Sequence, residues 1–216
     1  MLNKFSLKDK NILITGASGL LGTQHAIAVA EAGGNLILID IDLENLKKLE
    51  QKLNQKFTID VLIKVLDITN ETDLINFNDH LISKKIYLSG LINNAARNPK
   101  VEDDEISLSR LESFPINEWN LDISVGLTGA FLCAKVFGTH MAEYSKKGVI
   151  LNVSSDLGLI GPDQRLYKQN DVKENDQPVK PVTYSVVKHG IIGLSKYLAT
   201  YWPGVIRSNA LCPGGV

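Results

Sequence analysis

The 216-residue sequence predicts an α/β fold: a doubly wound parallel sheet covered by helices on both faces, a three-layer αβα sandwich. Three observations lead there. Short, almost wholly apolar runs rich in β-branched residues recur along the chain. Helical patterning fills the intervals between them. A glycine-rich turn joins the first run to the first helical stretch. Fully apolar strands alternating with helices are the mark of a parallel sheet buried on both faces.

NILIT (11–15) gives the first strand, and helical periodicity follows from Leu20 to Ala32, ended by Gly33-Gly34. NLILID (35–40) is a second buried strand, after which Leu43, Leu46, Leu49 and Leu53 mark the apolar stripe of a charged helix. TIDVLIKVLDI (58–68) holds a third strand, 71–84 an amphipathic helix and LSGLINNAA (88–96) a fourth strand. A long helix over 117–143 leads to VILNVSS (149–155), then a helix over 183–201 leads to a sixth strand, VIRSNALC (205–212). Two stretches break the alternation: the polar, acidic 97–116 (VEDDEIS), and 158–182 with Pro162, Pro178 and Pro181. Loops this long in a compact domain are usually functional or disordered. Residues 1–216 read as a single domain, with 158–182 an insertion.

The apolar helix SVGLTGAFLCAKVFG (124–138) holds Gly126, Gly129 and Gly138. A glycine inside a helix costs about 1 kcal/mol relative to alanine. Gly126 and Gly129 are three apart and are expected to share a face.

Apolar residues make up 44% of the chain, enough for a full core, and the formal net charge is −1. That balance offers no polyanion-binding surface, so neither nucleic acid nor an acidic membrane is expected as a partner. The N-terminus MLNKFSLKDKN lacks the apolar run of a signal peptide. The apolar stretches read as too short or too interrupted to span a bilayer. A cytoplasmic location is expected. Cys133 and Cys212 form no ligand-spaced pair and read as reduced thiols. His25, His80, His140 and His189 fall in no HxH or HExxH pattern, so no metal site is expected.

TGASGLLG (15–22) lies where strand one turns into helix one. Gly16, Gly19 and Gly22 let the backbone pass close to a pyrophosphate, and the helix N-terminus offers free N–H groups and a positive dipole end. Ser18, Leu20 and Leu21 of the same turn join the candidate cofactor site. A glycine trio alone is weak evidence; its position between an apolar strand and a helix strengthens it. Asp40 ends strand two. An acid there accepts hydrogen bonds from both adenosine ribose hydroxyls and repels the 2′-phosphate of NADP, so NAD is the expected cofactor. Asp40 also reads as a solvated carboxylate opening a helix that Asp42 caps. Asp67 reads as a contact to the adenine edge or, equally, as a cap for the next turn. Ile41 and Ile68 join the candidate site as their neighbours.

TYSVVKHG (183–190) sets Tyr184 and Lys188 one helical turn apart, on one face. A free tyrosine titrates near pH ~10, and a nearby ammonium brings the phenol toward the range of efficient acid–base work. Taken alone, Y-x-x-x-K is an ordinary surface pair. SSDLG (154–158) changes the balance, because it leaves strand five at the carboxyl edge of the sheet, where ligands bind in such folds. A serine hydroxyl there holds a substrate carbonyl oxygen beside the tyrosine.

With these motifs assembled, the sequence resembles the short-chain dehydrogenases/reductases, from about Leu7 to Val216. The resemblance rests on TGASGLLG, Asp67, NNAA (93–96), WNLDISVGLTGAFL (119–132), NVSSDLG (152–158), YSVVK (184–188) and IRSNALCPGG (206–215). It implies a Rossmann fold, hydride transfer with nicotinamide, and a homodimer or homotetramer. It also implies roles: Ser155 positions the carbonyl, Tyr184 is the acid/base, and Lys188 binds the nicotinamide ribose and tunes the tyrosine. Asn94 and Ala95 match a cofactor-backing turn; Pro213 and Gly214 match the turn beside the nicotinamide. The wording SSDLGLIGPDQRLYK also resembles oxidoreductases of flagellin modification, which implies a sugar substrate.

Four departures stand out. The glycine loop is spaced G-x-x-G-x-x-G, as in the family's larger sugar-nucleotide branch. Ser155 and Tyr184 are separated by 28 residues, more than is usual in the family, and the extra loop is expected to lie over the active site. Its Gln164, Arg165, Lys168 and Gln169 suit a polyhydroxylated or phosphorylated small molecule, or plain solvent. Gly126 replaces an asparagine that, in the family, holds a proton-passing water; water is expected to fill the space beside Gly126. Gly129 is expected to pack against the strand carrying Ser155 or against a partner helix. Finally, PGGV stops short of the family's C-terminal helix and strand, so the chain is expected to be incomplete. An NAD-dependent oxidoreductase acting on a secondary alcohol or ketone is the first reading. The alternatives are a non-catalytic NAD-binding subunit, or an epimerase or dehydratase that recycles bound NAD.

Overall fold

The apolar runs become six parallel strands: β1 (Asn11–Thr15), β2 (Asn35–Asp40), β3 (Val61–Val65), β4 (Leu88–Asn93), β5 (Gly148–Val153) and β6 (Ile206–Leu211). They lie in the order β3-β2-β1-β4-β5-β6, in a computed structural model that describes residues 5–97 and 109–214. The chain winds outward from β1 in one direction and from β4 in the other. Such a reversal opens a crevice at the carboxyl ends of the two central strands. Register brings the strand ends level there, with Thr15 opposite Ile39 and Asn93 opposite Asn152.

Alternation along β1 sends Leu13 to one face and Ile12 and Ile14 to the other. The second face is covered by α1 (Leu20–Glu31) and α2 (Leu43–Lys56), which bury Ala26, Val29, Leu46, Leu49 and Leu53. The first is covered by α3 (Glu71–Ser83), α4 (Ile116–Ser145) and α5 (Val182–Tyr201), with Phe77, Phe137, Met141 and Leu198 in its core. Full burial of such a side chain contributes roughly 1.5–3 kcal/mol. The result is the three-layer Rossmann-like sandwich that the alternation predicts. Side chains fix two helix starts: Asp42 accepts from the Asn45 N–H and Asn70 from the Asp73 N–H.

Helix α4 corrects one expectation. Its 30 residues are long and apolar enough to cross a membrane by length and composition. Instead, Leu132, Cys133, Phe137 and Met141 are buried against the sheet.

The α4 glycines correct another. Wider, π-type turns occur at Ser124–Thr128 and Ala134–Gly138. They change the helix phase, so Gly126 and Gly129 do not seat the same neighbour. A Cβ at Gly126 would lie 2.6 Å from Val187 Cγ1 of α5, one at Gly129 2.5 Å from Ile68 Cδ1, and one at Gly138 2.8 Å from Trp202. Gly129 therefore packs against the segment after β3, not against the strand carrying Ser155.

The insertion holds itself in shape. The Gln177 side chain bonds the backbone of Gln169 and Val172, and Val179 N–H donates to Ser109 Oγ at 3.2 Å. The VEDDEIS stretch lies outside the described residues.

Candidate active site

At the carboxyl end of β1 the chain turns through Gly16, at φ +59°, a conformation that favours glycine. A Cβ there would lie 2.7 Å from Ala95 Cα, and one at Gly22 would lie 2.1 Å from the Gly16 carbonyl oxygen. The first glycine lets β1 and β4 close up; the last lets α1 start directly beneath the loop. Asn94 locks the two strand ends together. Its side-chain amide donates to the Thr15 and Gly16 carbonyls at 3.1 and 2.9 Å. The Asn94 and Ala95 N–H groups both donate to Thr15 Oγ1, each at 3.1 Å. Asp40 accepts from Ser18 N–H at 2.9 Å and from Ser18 Oγ at 2.7 Å, which ties the glycine loop to β2.

From this loop a cleft runs past Asn94, Ala95 and the end of β5 to the insertion. Gly16, Gly19, Leu20, Leu21 and Asp40 line one end; Ser155, Asp156, Tyr167, Lys180, Tyr184 and Lys188 line the other, with Pro213 and Gly214 alongside. The sequence-derived residues of the two ends thus share one cleft. Ser18 stands behind Asp40, and Gly22 supports the turn from below. Asp67 does not join them: its carboxylate accepts from Thr69 N–H and Oγ1 at 2.9 and 2.8 Å, a local turn contact. Ile68 is buried beneath Gly129, and Ile41 is 72% exposed beside the cleft. Neither lies on its wall.

Lys188 is buried, 7% exposed, and its ammonium donates to the Val153 carbonyl at 3.0 Å. Its Nζ is 5.6 Å from the centre of the Tyr184 ring. Burial holds this ammonium below the usual lysine range; the charge of Lys180 pushes the same way, and Cys212 opposes it. Ser155, 5% exposed, donates its hydroxyl to Asp156 Oδ1 at 2.8 Å. Asp156 N–H in turn donates to the Pro213 carbonyl at 2.9 Å, so the ends of β5 and β6 are tied where the cleft passes.

Behind Tyr184 a separate cavity of about 30 Å³ is lined by Asp122, Gly126, Thr183, Tyr184, Val187 and Lys188. A cavity of that size has room for one water; its wall is mainly apolar, with Asp122, Thr183, Tyr184 and Lys188 as polar groups. Asp122 faces it, buried, accepting from Thr183 Oγ1 at 2.6 Å and from Arg97 at 3.2 Å. The space a side chain at Gly126 would fill is taken by Val187, and room for water is left alongside.

The insertion reaches the cleft through residues that the sequence did not single out: Leu166, Tyr167 and Lys180. Those it did single out serve the loop itself. Gln164 accepts from Lys180 N–H, Arg165 pairs with Asp163, Lys168 pairs with Glu174, and Gln169 bonds Gln177. The short spacing of Arg165 from Asp163 and of Lys168 from Glu174 was the signal that these charges are satisfied locally.

Fold and cleft define a dinucleotide-binding type of α/β protein, and comparison with known proteins sharpens that class. The family model for short chain dehydrogenase matches residues 10–167. A short-chain dehydrogenase/reductase, aba4, of Botryotinia fuckeliana (strain B05.10) is 30% identical over 209 residues, which are 96% of this chain and 72% of that protein. An NADP-dependent mannitol dehydrogenase of Alternaria alternata is 30% identical over 213 residues, covering 97% of this chain and 71% of the relative. A crystal structure of NAD+-bound xylitol dehydrogenase matches with a TM-score of 0.81 at 26% identity, covering 96% of this chain and 71% of that one. The chain belongs to the short-chain dehydrogenase/reductase family, oxidoreductases that act on alcohols and ketones with a nicotinamide cofactor.

Proposed function

We propose that this protein transfers a hydride between NAD(H) and a secondary alcohol or ketone of a sugar or sugar derivative. The observation that carries the reading is the meeting of Ser155, Tyr184 and Lys188 in one cleft with the glycine loop and Asp40. The glycine loop fits a pyrophosphate: Gly16 makes the tight turn, Gly22 lets α1 pack against the loop, and Gly19 leaves bare backbone on the cleft wall. Asp40 accepts the ribose hydroxyls and its charge repels a 2′-phosphate, which supports NAD over NADP.

The nicotinamide, when bound, supplies the hydride acceptor or donor. Tyr184 takes the hydroxyl proton when an alcohol is oxidised and returns it to the ketone oxygen on reduction. Lys188 holds the nicotinamide ribose and favours the charged phenol. Ser155 turns its hydroxyl from Asp156 to the substrate oxygen. Water in the cavity beside Gly126 passes the proton on. Asn94, Ala95, Pro213 and Gly214 back the nicotinamide. The names of the mannitol and xylitol relatives support a polyhydroxylated substrate, and the wording after Ser155 supports a role in surface-glycan modification such as that of flagellin. Exposed Leu121 and Phe131 on α4 and Val186 on α5 support assembly as a homodimer or homotetramer.

The test is oxidation of a panel of polyols, sugar phosphates and nucleotide sugars with NAD+ and NADP+, beside fluorescence titration of NADH and NADPH. Turnover with tighter NADH is expected. Equal or tighter NADPH binding overturns the cofactor assignment; NADH binding without any turnover points to a non-catalytic NAD-binding subunit.

A further inference from the structure

The insertion brings a cation to the reacting end of the cleft. Lys180 lies just before α5, and its Nζ sits 3.9 Å from the centre of the Tyr184 ring, closer than Lys188 at 5.6 Å. Its side chain lines the cleft with Ser155, Tyr167 and Tyr184. Among the described residues no carboxylate pairs with it; it lies over the face of the tyrosine and repels the Lys188 ammonium. The other cleft lysine, Lys188, is already engaged with the Val153 carbonyl, and the insertion's Arg165 and Lys168 have acidic partners.

The backbone that carries Lys180 is held. Its N–H donates to Gln164 Oε1 at 2.8 Å, and the preceding Val179 N–H donates to Ser109 Oγ. The ammonium is therefore presented from an ordered segment, which lowers the entropy lost on gripping a ligand. Burial holds this ammonium below the usual lysine range. A partly desolvated cation without a counterion is stabilised by an anion brought beside it. Tyr167, partly buried, lines the same cleft.

We propose that Lys180 binds an anionic group of the substrate, a carboxylate or a phosphate, so that the cleft takes sugar acids or sugar phosphates ahead of neutral polyols. The proposal rests on the oxidoreductase reading for where the substrate lies, but its main test needs no turnover. The full-length chain with NADH is treated with a trace of acetic anhydride, and acetylation of each lysine is followed by peptide mass spectrometry. Gluconate, sorbitol 6-phosphate and sorbitol are added in separate arms; they share the carbon chain and differ in charge. At about ten times Kd, gluconate or sorbitol 6-phosphate should slow Lys180 acetylation about tenfold by mass action. Sorbitol should not, and exposed Lys196 should react at an unchanged rate. Whichever anion protects identifies the group. The proposal is overturned if neither anion protects, if sorbitol protects equally, or if Lys196 slows in parallel. Where turnover is measurable, Lys180→Met should erase the preference for the anionic partner over sorbitol while Lys180→Arg retains it. Protection of Lys180 without turnover of any probe would count against the oxidoreductase reading and leave the anion site standing.

Discussion

At the cofactor end of the cleft, the contacts run between neighbouring strand ends: Thr15 to Asn94 and Ala95, Asn94 to Gly16, and Ser18 to Asp40. At the substrate end, they tie the segment after β5 to the one after β6, and an insertion that the sheet does not require to α5: Asp156 to Pro213, and Lys180 to Tyr184. The first end follows from the fold of this chain, because Gly16 closes against Ala95 and Thr15 Oγ1 accepts the two N–H groups that follow β4. The second is a choice made by this sequence. Stability and cofactor binding should therefore respond to substitutions at the first end, and substrate preference to those at the second.

Apart from the tyrosine itself, the largest effect should come from the residue that joins the two ends. Lys188→Ala removes a buried ammonium that bonds Val153 and faces Tyr184. Turnover should fall by about a hundredfold or more, and NADH affinity should fall with it. If affinity is untouched, Lys188 belongs to the chemical end alone.

Gly22→Ala comes next. Its Cβ would meet the Gly16 carbonyl oxygen at 2.1 Å, and overpacking of that kind costs about 1–3 kcal/mol. Thermal unfolding should occur several degrees lower and NADH should bind more weakly. An unchanged melting temperature would mean that the loop yields, and that the cofactor end is less constrained than the contacts imply.

Gly126→Asn tests the cavity between the ends. The new side chain meets Val187 Cγ1, so the single variant should lose stability and Gly126→Asn with Val187→Ala should regain it. With room restored, turnover should change only modestly. If the parent is inactive on every alcohol and ketone tried and the double variant is active, the water relay is wrong and the NAD-binding-subunit reading gains.

The smallest effect is one of pH. His140 is 1% exposed, and its Nε2 accepts the Leu88 N–H at 3.1 Å. Burial holds its imidazole below the usual histidine range. The unfolded chain therefore binds the proton first as pH falls through about 6.5, and stability declines until the lowered value is passed. Melting temperatures between pH ~8 and pH ~5 should show this slope, and His140→Gln should reduce it, leaving the share of His25, which burial also holds below the usual range.

These contrasts track what was legible in the sequence. TGASGLLG and NNAA announced themselves because Gly16 and Gly22 sit where a Cβ has no room and Thr15 and Asn94 tie strand ends. YSVVK was legible because one helical turn fixes the spacing of Tyr184 and Lys188. Asp67 was ambiguous because a carboxylate after a strand serves a ligand or its own turn equally well, and here it bonds Thr69. Gly129 was assigned the wrong neighbour because the wider turn before it shifts the helix phase, which the spacing of apolar residues does not reveal. Lys180 was invisible among the polar residues of the insertion. What distinguishes it from Lys168 is the lack of a nearby acid and a tertiary contact with Tyr184, and only the folded chain displays the second.

The central claim, that Tyr184 handles the proton in a cleft whose other end holds NAD(H), is tested most directly by Tyr184→Phe. The change removes one hydroxyl and keeps the ring that Lys180 covers. Turnover of the parent and the variant should be measured on the same substrate, beside NADH titration of both. The account predicts that turnover falls by about 10²–10⁴-fold while NADH affinity stays roughly the same. Near-normal turnover in the variant would contradict it and move the proton chemistry to another group.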